Sequence, residues 1–328
     1  TNLASFYKVN LFNGLNKKKK ILVIYTMETS KTRNEDFFSD KHEFDCLFLR
    51  GSLFEKIKTL RKIVKMNPST EVILGGWDNI EAWFTIFINS KLYNSCIVES
   101  SVYESESTGI KGLLKKIYLA RISKVYVPGK SNEALVKNLN FKGDIIRTGG
   151  VGIMNFQTQP PFMNRDSVKN FLYVGRLVDV KNLRLLIECF NELPGLNLNI
   201  IGFGDQEDEL KMIAKQNTNF LGPVDNIRLP DYYKGNDVFV LPSKSETWGL
   251  VVEEALNNGI PVIVSDKVGC KDDLVTSETG LVFHFNDKKD LQEKIKKIMN
   301  IDFYNSLRKN ISFLNFEDRM NMQISAFL

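Results

Sequence analysis

Short runs rich in β-branched and aromatic residues alternate with stretches of helical periodicity along this chain, and they do so in two series. In the first series the runs ILVIY, CLFL, EVILGG, SCIVE and VYVP begin at residues 21, 46, 71, 95 and 125. In the second, FLYVG, LNIIG, NFLG, VFVLP, PVIVS and GLVF begin at residues 171, 198, 219, 238, 261 and 280. Strands that alternate with helices form parallel sheets covered by helices on both faces. The sequence therefore predicts two successive doubly wound α/β domains.

Helical patterns fill the intervals between these runs. The clearest is 110–124, where Ile110, Leu113, Leu114 and Ile117 follow the i, i+3, i+4, i+7 spacing of one helix face. The other predicted helices cover 5–15, 55–66, 181–193, 205–217, 249–258 and 287–300. A polar stretch with two adjacent prolines, 155–170, predicts an interdomain linker. We therefore expect domains at 1–158 and 159–311, a C-terminal helix at 312–328, and a first strand upstream of the sequence, since a helical segment precedes ILVIY.

Length, cysteine content, apolar runs and charge limit the classes of protein to which this chain can belong. A chain of 328 residues is long enough for two domains, and its four scattered cysteines, none in a C-x-x-C pair, are typical of a reduced cytoplasmic protein. The longest apolar run, 82–88, is far shorter than the roughly 20 residues of a membrane span. Residues 1–160 carry 24 Lys and Arg against 15 Asp and Glu, whereas 161–328 carry 20 against 24. Charge alone leaves nucleic acid, an anionic membrane surface and an acidic acceptor open as partners of the basic half.

The motif with the most chemical content is SKSETWGLVVEEA at 243–255, directly after the run VFVLP. Trp248 and Gly249 are expected at the junction of loop and helix, where backbone amides form an anion site. Glu246 in the loop and Glu254 about two turns into the helix would bracket one polyhydroxyl ligand. By spacing alone, the two residues are equally consistent with a helix cap and a solvated helix residue.

Two further motifs follow the first two runs of the second series. In VGRLVDVKN at 174–182, a strand ends at Gly175, and Arg176 and Lys181 lie beyond it. Two cations at this position suit a diphosphate, or they are simply charged surface residues. In IIGFGDQE at 200–207, Gly202 and Gly204 are compatible with close approach of a phosphate and equally with a tight turn. The third glycine of a dinucleotide fingerprint is missing, which argues against an NAD-type oxidoreductase.

The order and spacing of these motifs resemble the retaining "group 1" glycosyltransferases, family four of the sequence classification, which have two facing Rossmann-like domains (the GT-B fold). The resemblance is close over 171–300, including GIPVIVSDKVG at 259–269, and weaker over 1–160. It implies that the last helix packs back on the first domain, which would bind the acceptor. It also implies a donor site for a nucleotide sugar, formed by Gly175, Arg176, Lys181, Gly202, Val224, Glu246, Thr247, Trp248, Gly249, Leu250 and Glu254.

Within that implied site the roles differ. Arg176 and Lys181 would hold the diphosphate, Glu254 the ribose hydroxyls and Glu246 the transferred sugar. Many relatives place a histidine of the first domain near the reacting sugar, but neither His42 nor His284 stands at the matching position. Glu99 would take that role as a second catalytic residue, or would simply be a carboxylate at a strand end.

The resemblance also implies the reaction. A sugar would pass with retained configuration from a nucleoside diphosphate, UDP before GDP, to a glycan or polyprenyl-pyrophosphate-linked acceptor in surface polysaccharide synthesis. No D-x-D motif occurs, so we expect a metal-independent enzyme without a cofactor, in which the two cations replace the metal. The alternatives are a non-catalytic nucleotide-sugar or glycan binder and a nucleotide-sugar epimerase.

Lysines and arginines mark the polar side of two predicted helices in the first half. In 110–124 these are Lys111, Lys115, Lys116, Arg121 and Lys124. Basic amphipathic helices lie on anionic lipid, although two solvated helices would show the same pattern. For 110–124 we favour contact with an anionic membrane or with the acceptor, which makes the protein peripheral at the inner face of the cell membrane and leaves no role for nucleic acid.

Overall fold

Every sheet in the described part of the chain consists of parallel strands. The computed structural model describes residues 1–27, 37–38 and 41–328. Contacts divide the chain into two units, the first containing Thr1–Ile153 with Arg319–Leu328 and the second containing Met154–Asp318. The mixed α/β class and the two Rossmann-like domains predicted from the sequence are confirmed.

The first unit has strands that are three or four residues long. Its strands are β1 (Leu22–Tyr25), β2 (Asp45–Phe48), β3 (Val72–Leu74), β4 (Asn94–Ile97), β5 (Lys124–Val127) and β6 (Asp144–Arg147). Its helices are α1 (Phe6–Asn16), α2 (Leu53–Met66), α3 (Ile80–Ile88), α4 (Gly109–Leu119) and α5 (Lys130–Asn138), with a short 3₁₀ helix at Lys91–Tyr93. Within the described residues, β1 pairs with β2, and β3 to β6 form a second sheet in chain order.

The second unit has longer and more deeply buried strands. They are β7 (Asn170–Val174), β8 (Asn197–Ile201), β9 (Thr218–Gly222), β10 (Val238–Leu241), β11 (Val262–Ser265) and β12 (Gly280–Phe283). The helices are α6 (Leu183–Phe190), α7 (Glu207–Ile213), α8 (Leu229–Gly235), α9 (Leu250–Asn257), α10 (Lys271–Leu274), α11 (Lys288–Ile298) and α12 (Ile301–Ile311), followed by α13 (Phe316–Ser325), whose end groups with the first unit. Short 3₁₀ helices cover Asp179–Lys181 and Asn226–Arg228.

The six strands of the second unit form one sheet in the order β12-β11-β10-β7-β8-β9. Every residue of β10 and β11 is buried, as expected of strands with helices on both faces. From β7 the chain proceeds outward to β8 and β9, and then returns to the other side of β7 to add β10, β11 and β12. The carboxyl ends of β7 and β10 therefore flank the point where the strand order reverses.

The C-terminal helix predicted within 312–328 is α13, which is separate from α12. The α12 helix ends at Ile311 and α13 begins at Phe316, where the Asn315 side chain accepts the amide of Asp318. Residues 319–328 belong to the first unit, in which Arg319 donates to the carbonyl of Gly149 and the Gln323 side chain accepts the amide of Gly152. Asn315 thus begins a new helix instead of continuing the previous one.

Two bulk expectations can be compared with the structure. None of the helices in the described ranges is long and apolar enough to cross a membrane. All four cysteines carry free thiols, Cys46 exposed and the other three buried.

Candidate donor site

The loops that follow β7 and β10 meet at the switch point of the six-stranded sheet. The amide of Lys244 donates to the carbonyl of Val180 (2.8 Å), and the Asn182 side chain donates to the carbonyl of Pro242 (3.2 Å). Open α/β sheets bind ligands in the crevice at this position because adjacent loops there diverge to opposite faces. The topology therefore brings the GRLVDVK and SETWG motifs to one edge of one sheet.

Lys181 and Glu246 form an ion pair across these two loops. Lys181 Nζ donates to Glu246 Oε2, and the two side chains keep 14% and 16% of their exposure. The backbone of Glu246 is fixed on both sides, since its amide donates to Lys267 O (3.1 Å) and its carbonyl accepts the amide of Gly269 (2.9 Å). The carboxylate and the ammonium group are thus held together before any ligand binds. An ammonium has three donors, so Lys181 can keep Glu246 and still donate to a phosphate.

Arg176 provides a second cation at the same edge. In the part of the chain that the structure describes, its half-buried guanidinium group forms no ion pair. Its backbone carbonyl accepts a hydrogen bond from Tyr173 Oη (2.9 Å), and burial raises the pKa of Tyr173 so that the phenol remains a donor. The loop is therefore anchored through its backbone, which leaves the guanidinium group available to a ligand.

The glycines of GFG serve to pack two loops together. A Cβ on Gly202 would lie 1.9 Å from Gly175 O, and one on Gly204 would lie 2.2 Å from Leu177 O. The amide of Leu177 also donates to Phe203 O (2.8 Å). From the sequence, Gly202 and Gly204 were compatible with phosphate approach and with a tight turn. The structure shows that a side chain at either position would clash where the loops after β7 and β8 touch.

The helix α9 begins where the motif predicted, immediately after Gly249. Gly249 has φ +103° and ψ 60°, a left-handed conformation that side chains resist. The first amides of a helix have no intrahelical acceptor and carry the positive end of its dipole. The start of α9 at Leu250 therefore places the positive end of a helix dipole directly after the loop that follows β10.

Trp248 does not offer its ring to a ligand. It is 1% exposed, and its Nε1 donates to Glu253 Oε1 (2.7 Å), which is also buried. Glu253, which the sequence motifs did not single out, connects the turn to the helix that follows it. The indole N–H of a buried tryptophan needs such a buried acceptor.

Glu254 lies just over one turn into α9, not two as expected, because the helix starts at Leu250. It is half-buried and accepts a hydrogen bond from Tyr233 Oη (3.0 Å), so it is not a solvated helix residue. Burial raises the pKa of Glu254 to about 7, while the bond from Tyr233 opposes that rise. A carboxylate held at this pKa gains most from a ligand that donates hydrogen bonds to it.

Two predicted residues belong to neither of these two loops nor to α9. Val224, half-buried, follows β9, the edge strand of the sheet and the second from β7. Glu99 belongs to the first unit, just beyond β4, and Lys8 of α1 donates to its carboxylate. The Asn132 side chain donates to the carbonyls of Glu99 (2.6 Å) and Ser100 (3.1 Å), which fixes this loop. The sequence pointed to Glu99 but contained no signal for Lys8, Asn132 or Tyr233.

A cavity of about 630 Å³ in the second unit lies at the opposite edge of the sheet. Its lining includes Asn170 at the start of β7, Asp237 just before β10, and Arg308 of α12. Arg308 donates to the carbonyls of Met163 and Gly259, which ties the segment before β7 to the body of the unit. This cavity contains none of the predicted site residues.

Comparisons with known proteins show what the sequence is similar to. Residues 157–312 match the family model described as glycosyl transferases group 1. The O-antigen biosynthesis glycosyltransferase WbnH of Escherichia coli is 28% identical over 319 residues, which are 92% of this chain and 87% of WbnH. The capsular polysaccharide biosynthesis glycosyltransferase CapM of Staphylococcus aureus is 33% identical over 148 residues, 42% of this chain and 38% of CapM. Sulfoquinovosyl transferase SQD2 of Arabidopsis thaliana is 33% identical over 133 residues, 39% of this chain but only 26% of SQD2. The matched part thus spans well under half of these last two relatives.

Solved structures extend the likeness to both units. The lipopolysaccharide outer core galactosyltransferase WaaB superposes with a TM-score of 0.72 at 15% identity over 100% of this chain and 98% of WaaB. Anabaena Alr3699/HepE in complex with UDP gives 0.69 at 12% identity, over 94% and 92% of the two chains. At these identities the likeness establishes the fold alone. The chain therefore has the two-domain GT-B fold, and its residues 157–312 match the group 1 glycosyltransferase family.

Proposed function

We propose that the whole chain is a retaining glycosyltransferase that moves a hexose-type sugar from a nucleoside diphosphate to a glycan or polyprenyl-pyrophosphate-linked acceptor. UDP is the first nucleotide to test and GDP the second. Similarity to glycosyltransferases of O-antigen and capsule synthesis supports surface polysaccharide as the product. The observation that carries the proposal is the Lys181–Glu246 pair beside Arg176 at the switch point.

The charges suit a departing diphosphate. In the proposed reaction the acceptor hydroxyl forms a bond to the anomeric carbon on the face that the diphosphate leaves, and its proton departs with the diphosphate. Arg176 and Lys181 stabilise the negative charge that develops on the leaving group, aided by the amides at the start of α9. Cations fixed before the reaction need no reorganisation as that charge grows.

The two carboxylates have separate tasks in this proposal. Glu246, whose backbone is locked, faces the transferred sugar and accepts its hydroxyl hydrogens. Glu254, on the rigid helix, accepts the two ribose hydroxyls. Val224 lies near the base. Glu99 of the first unit, which forms an ion pair with Lys8, assists at the reacting sugar in place of a histidine.

Metal independence and location are also part of the proposal. Because Arg176 and Lys181 hold the diphosphate, transfer should continue in EDTA, with no cofactor beyond the nucleotide sugar. The protein would work at the inner face of the cell membrane, where lipid-linked acceptors are reached.

A donor screen tests the proposal. Thermal shift and saturation-transfer NMR should identify one nucleotide sugar, with UDP-sugars the first candidates, and the Glu246→Ala variant should lose turnover with that donor. The proposal fails if UDP-, GDP- and related sugars all give no signal, or if Glu246→Ala retains full turnover. Binding without hydrolysis or transfer would make the protein a nucleotide-sugar binder, and an altered sugar formed without acceptor would make it an epimerase.

A further inference from the structure

The helix α4 turns its apolar stripe outward. The i, i+3, i+4, i+7 set of Ile110, Leu113, Leu114 and Ile117 is between 44% and 80% exposed. The helix packs on the first unit through its other side, which buries Gly112, Tyr118 and Leu119. An amphipathic helix of a globular domain ordinarily turns its apolar stripe toward the core. The predicted helix is confirmed, but the four apolar side chains of its predicted stripe are left in contact with solvent.

The neighbouring helix α3 repeats this arrangement. Its residues Ile80, Phe84 and Phe87, spaced i, i+4, i+7, are between 42% and 59% exposed. The two helices touch, since the rings of Trp83 and Tyr118 lie 5.1 Å apart and the Arg121 guanidinium lies 5.7 Å from the Phe87 ring. The two stripes together form what we call the α3–α4 surface: Ile80, Phe84, Phe87, Ile110, Leu113, Leu114 and Ile117.

Cations accompany this surface. Residues 109–124 contain five lysines and arginines and no acidic residue. Lys116 and Lys111 are exposed on α4 itself, Lys111 in an ion pair with Glu106, and Arg121 lies two residues beyond the end of the helix. Monomeric proteins seldom expose a contiguous apolar patch of this kind without a partner. Apolar side chains flanked by lysines match an anionic lipid surface, in which the apolar groups enter the acyl boundary and the cations meet the head groups.

We propose that the α3–α4 surface is the face by which this protein docks on an anionic membrane. The inference rests on the membrane location included in the proposed function and identifies the residues responsible for it. Ile110, Leu113, Leu114 and Ile117 insert at the level of the head groups, while Lys116 and Arg121 pair with lipid phosphates. Docking of this kind holds the first unit, the expected acceptor domain, against the layer that contains a lipid-linked acceptor.

Vesicle flotation of the full chain tests the proposal. The probes are vesicles of phosphatidylglycerol mixed with phosphatidylcholine, and vesicles of phosphatidylcholine alone. The wild type should float with the anionic vesicles and much less with the neutral ones, and salt should weaken its binding. The variant Leu113→Ser/Leu114→Ser/Ile117→Ser should lose at least about tenfold in partition coefficient, because three side chains no longer leave water. Lys116→Glu should lose about fivefold or more on anionic vesicles.

Matched controls lie in the second unit. Met212→Ser/Phe313→Ser removes two side chains that are 79% and 75% exposed, and Lys296→Glu reverses an exposed lysine of α11. Both controls should float as the wild type does. The circular dichroism spectrum, melting temperature and UDP binding of the triple variant should match those of the wild type, which would show that α4 still folds.

The outcomes separate this inference from the proposed function. A wild type that stays off anionic vesicles, or a triple variant that floats like the wild type, overturns the docking surface even if nucleotide sugars bind. Self-association of the wild type in analytical ultracentrifugation, lost in the triple variant without any vesicle binding, would assign the surface to a second copy and also overturn it. Flotation that depends on α4 in a protein that binds no nucleotide sugar would support the surface while the transferase proposal fails.

Discussion

Each unit of this protein contains a lysine–glutamate ion pair beyond the end of a parallel strand, and the two pairs are built differently. Lys181 and Glu246 come from two loops that meet at the switch point of a six-stranded sheet, and both side chains are mostly buried. Lys8 comes from a helix that precedes β1, and its partner Glu99 retains 36% exposure. The glutamate is therefore more deeply enclosed in the second unit than in the first, whereas Lys8, at 10% exposure, is at least as buried as Lys181.

The difference in burial predicts how each glutamate responds when its lysine is removed. When its lysine is removed, a buried carboxylate still bears the cost of desolvation but loses the attraction of the cation. An exposed carboxylate is instead solvated by water. Glu246 should therefore depend on Lys181 for stability as well as for function. Glu99 should depend on Lys8 mainly for its orientation.

The largest expected effect comes from breaking the enclosed pair. Lys181→Met should lower kcat/KM by about 10²–10³-fold, the range seen when a fixed electrostatic donor is removed, and should also lower the melting temperature. The double variant Lys181→Met/Glu246→Gln should recover the melting temperature but not turnover, because it removes the stranded charge and not the need for a cation. Turnover of the donor and thermal unfolding should be measured for both variants. Recovered activity in the double variant would show that the Lys181–Glu246 pair is only structural.

The pair of the first unit provides the matching experiment. Glu99→Gln should lower kcat by about 10²-fold, as expected for loss of a positioned acid or base, while melting temperature changes little. UDP affinity should not change, because every proposed nucleotide contact lies in the second unit. Glu133→Gln, in another ion pair of the first unit, is the control and should keep wild-type turnover. If Glu99→Gln turns over like this control, Glu99 is a structural carboxylate.

A third test uses Glu254, whose carboxylate accepts a hydrogen bond from Tyr233 and not from a lysine. The pKa of Glu254 is about 7, and only the ionised form can accept both ribose hydroxyls. UDP affinity should therefore fall by up to about tenfold for each pH unit below 7 and level off above it. Because the folded-state pKa is raised above the ordinary 4.5, ionisation of Glu254 costs stability as pH rises through that interval. Glu254→Gln should thus bind UDP weakly at every pH, as measured by titration calorimetry. In thermal unfolding, the stability of this variant relative to the wild type should be greater at pH 8 than at pH 5.

The smallest expected effect is that of Tyr233→Phe. The hydrogen bond from Tyr233 lowers the pKa of Glu254, so its loss should move the midpoint of UDP binding to higher pH. Affinities of the variant and the wild type should differ below pH 7 and converge near pH 9. Tyr304→Phe, which removes a buried phenol that donates to Asp237 O, is the control and should leave the midpoint in place. A loss of affinity that is equal at every pH would show that Tyr233 only packs against α9.

The motifs of the second unit could be predicted because local physics determines them. A strand followed by Gly175 and Arg176, and a left-handed Gly249 before α9, are readable from short stretches of chain. Their convergence could also be expected, since the carboxyl ends of parallel strands share one edge. The same reasoning gave no role to Glu253, because nothing in the sequence indicates that the indole of Trp248 would be buried and need an acceptor.

By itself, the sequence determined the α/β class, the two series of strands and the motifs of the donor site, because hydrophobic period and turn residues act over a few residues. Only the tertiary structure decided which charges meet. Lys8 and Glu99 are 91 residues apart, and Lys181 and Glu246 are 65 apart. It also decided that the apolar stripe of α4 faces outward, since periodicity marks a helix face but does not say which side finds a neighbour. Burial and pairing depend on what packs against a side chain, and that is a property of the folded chain.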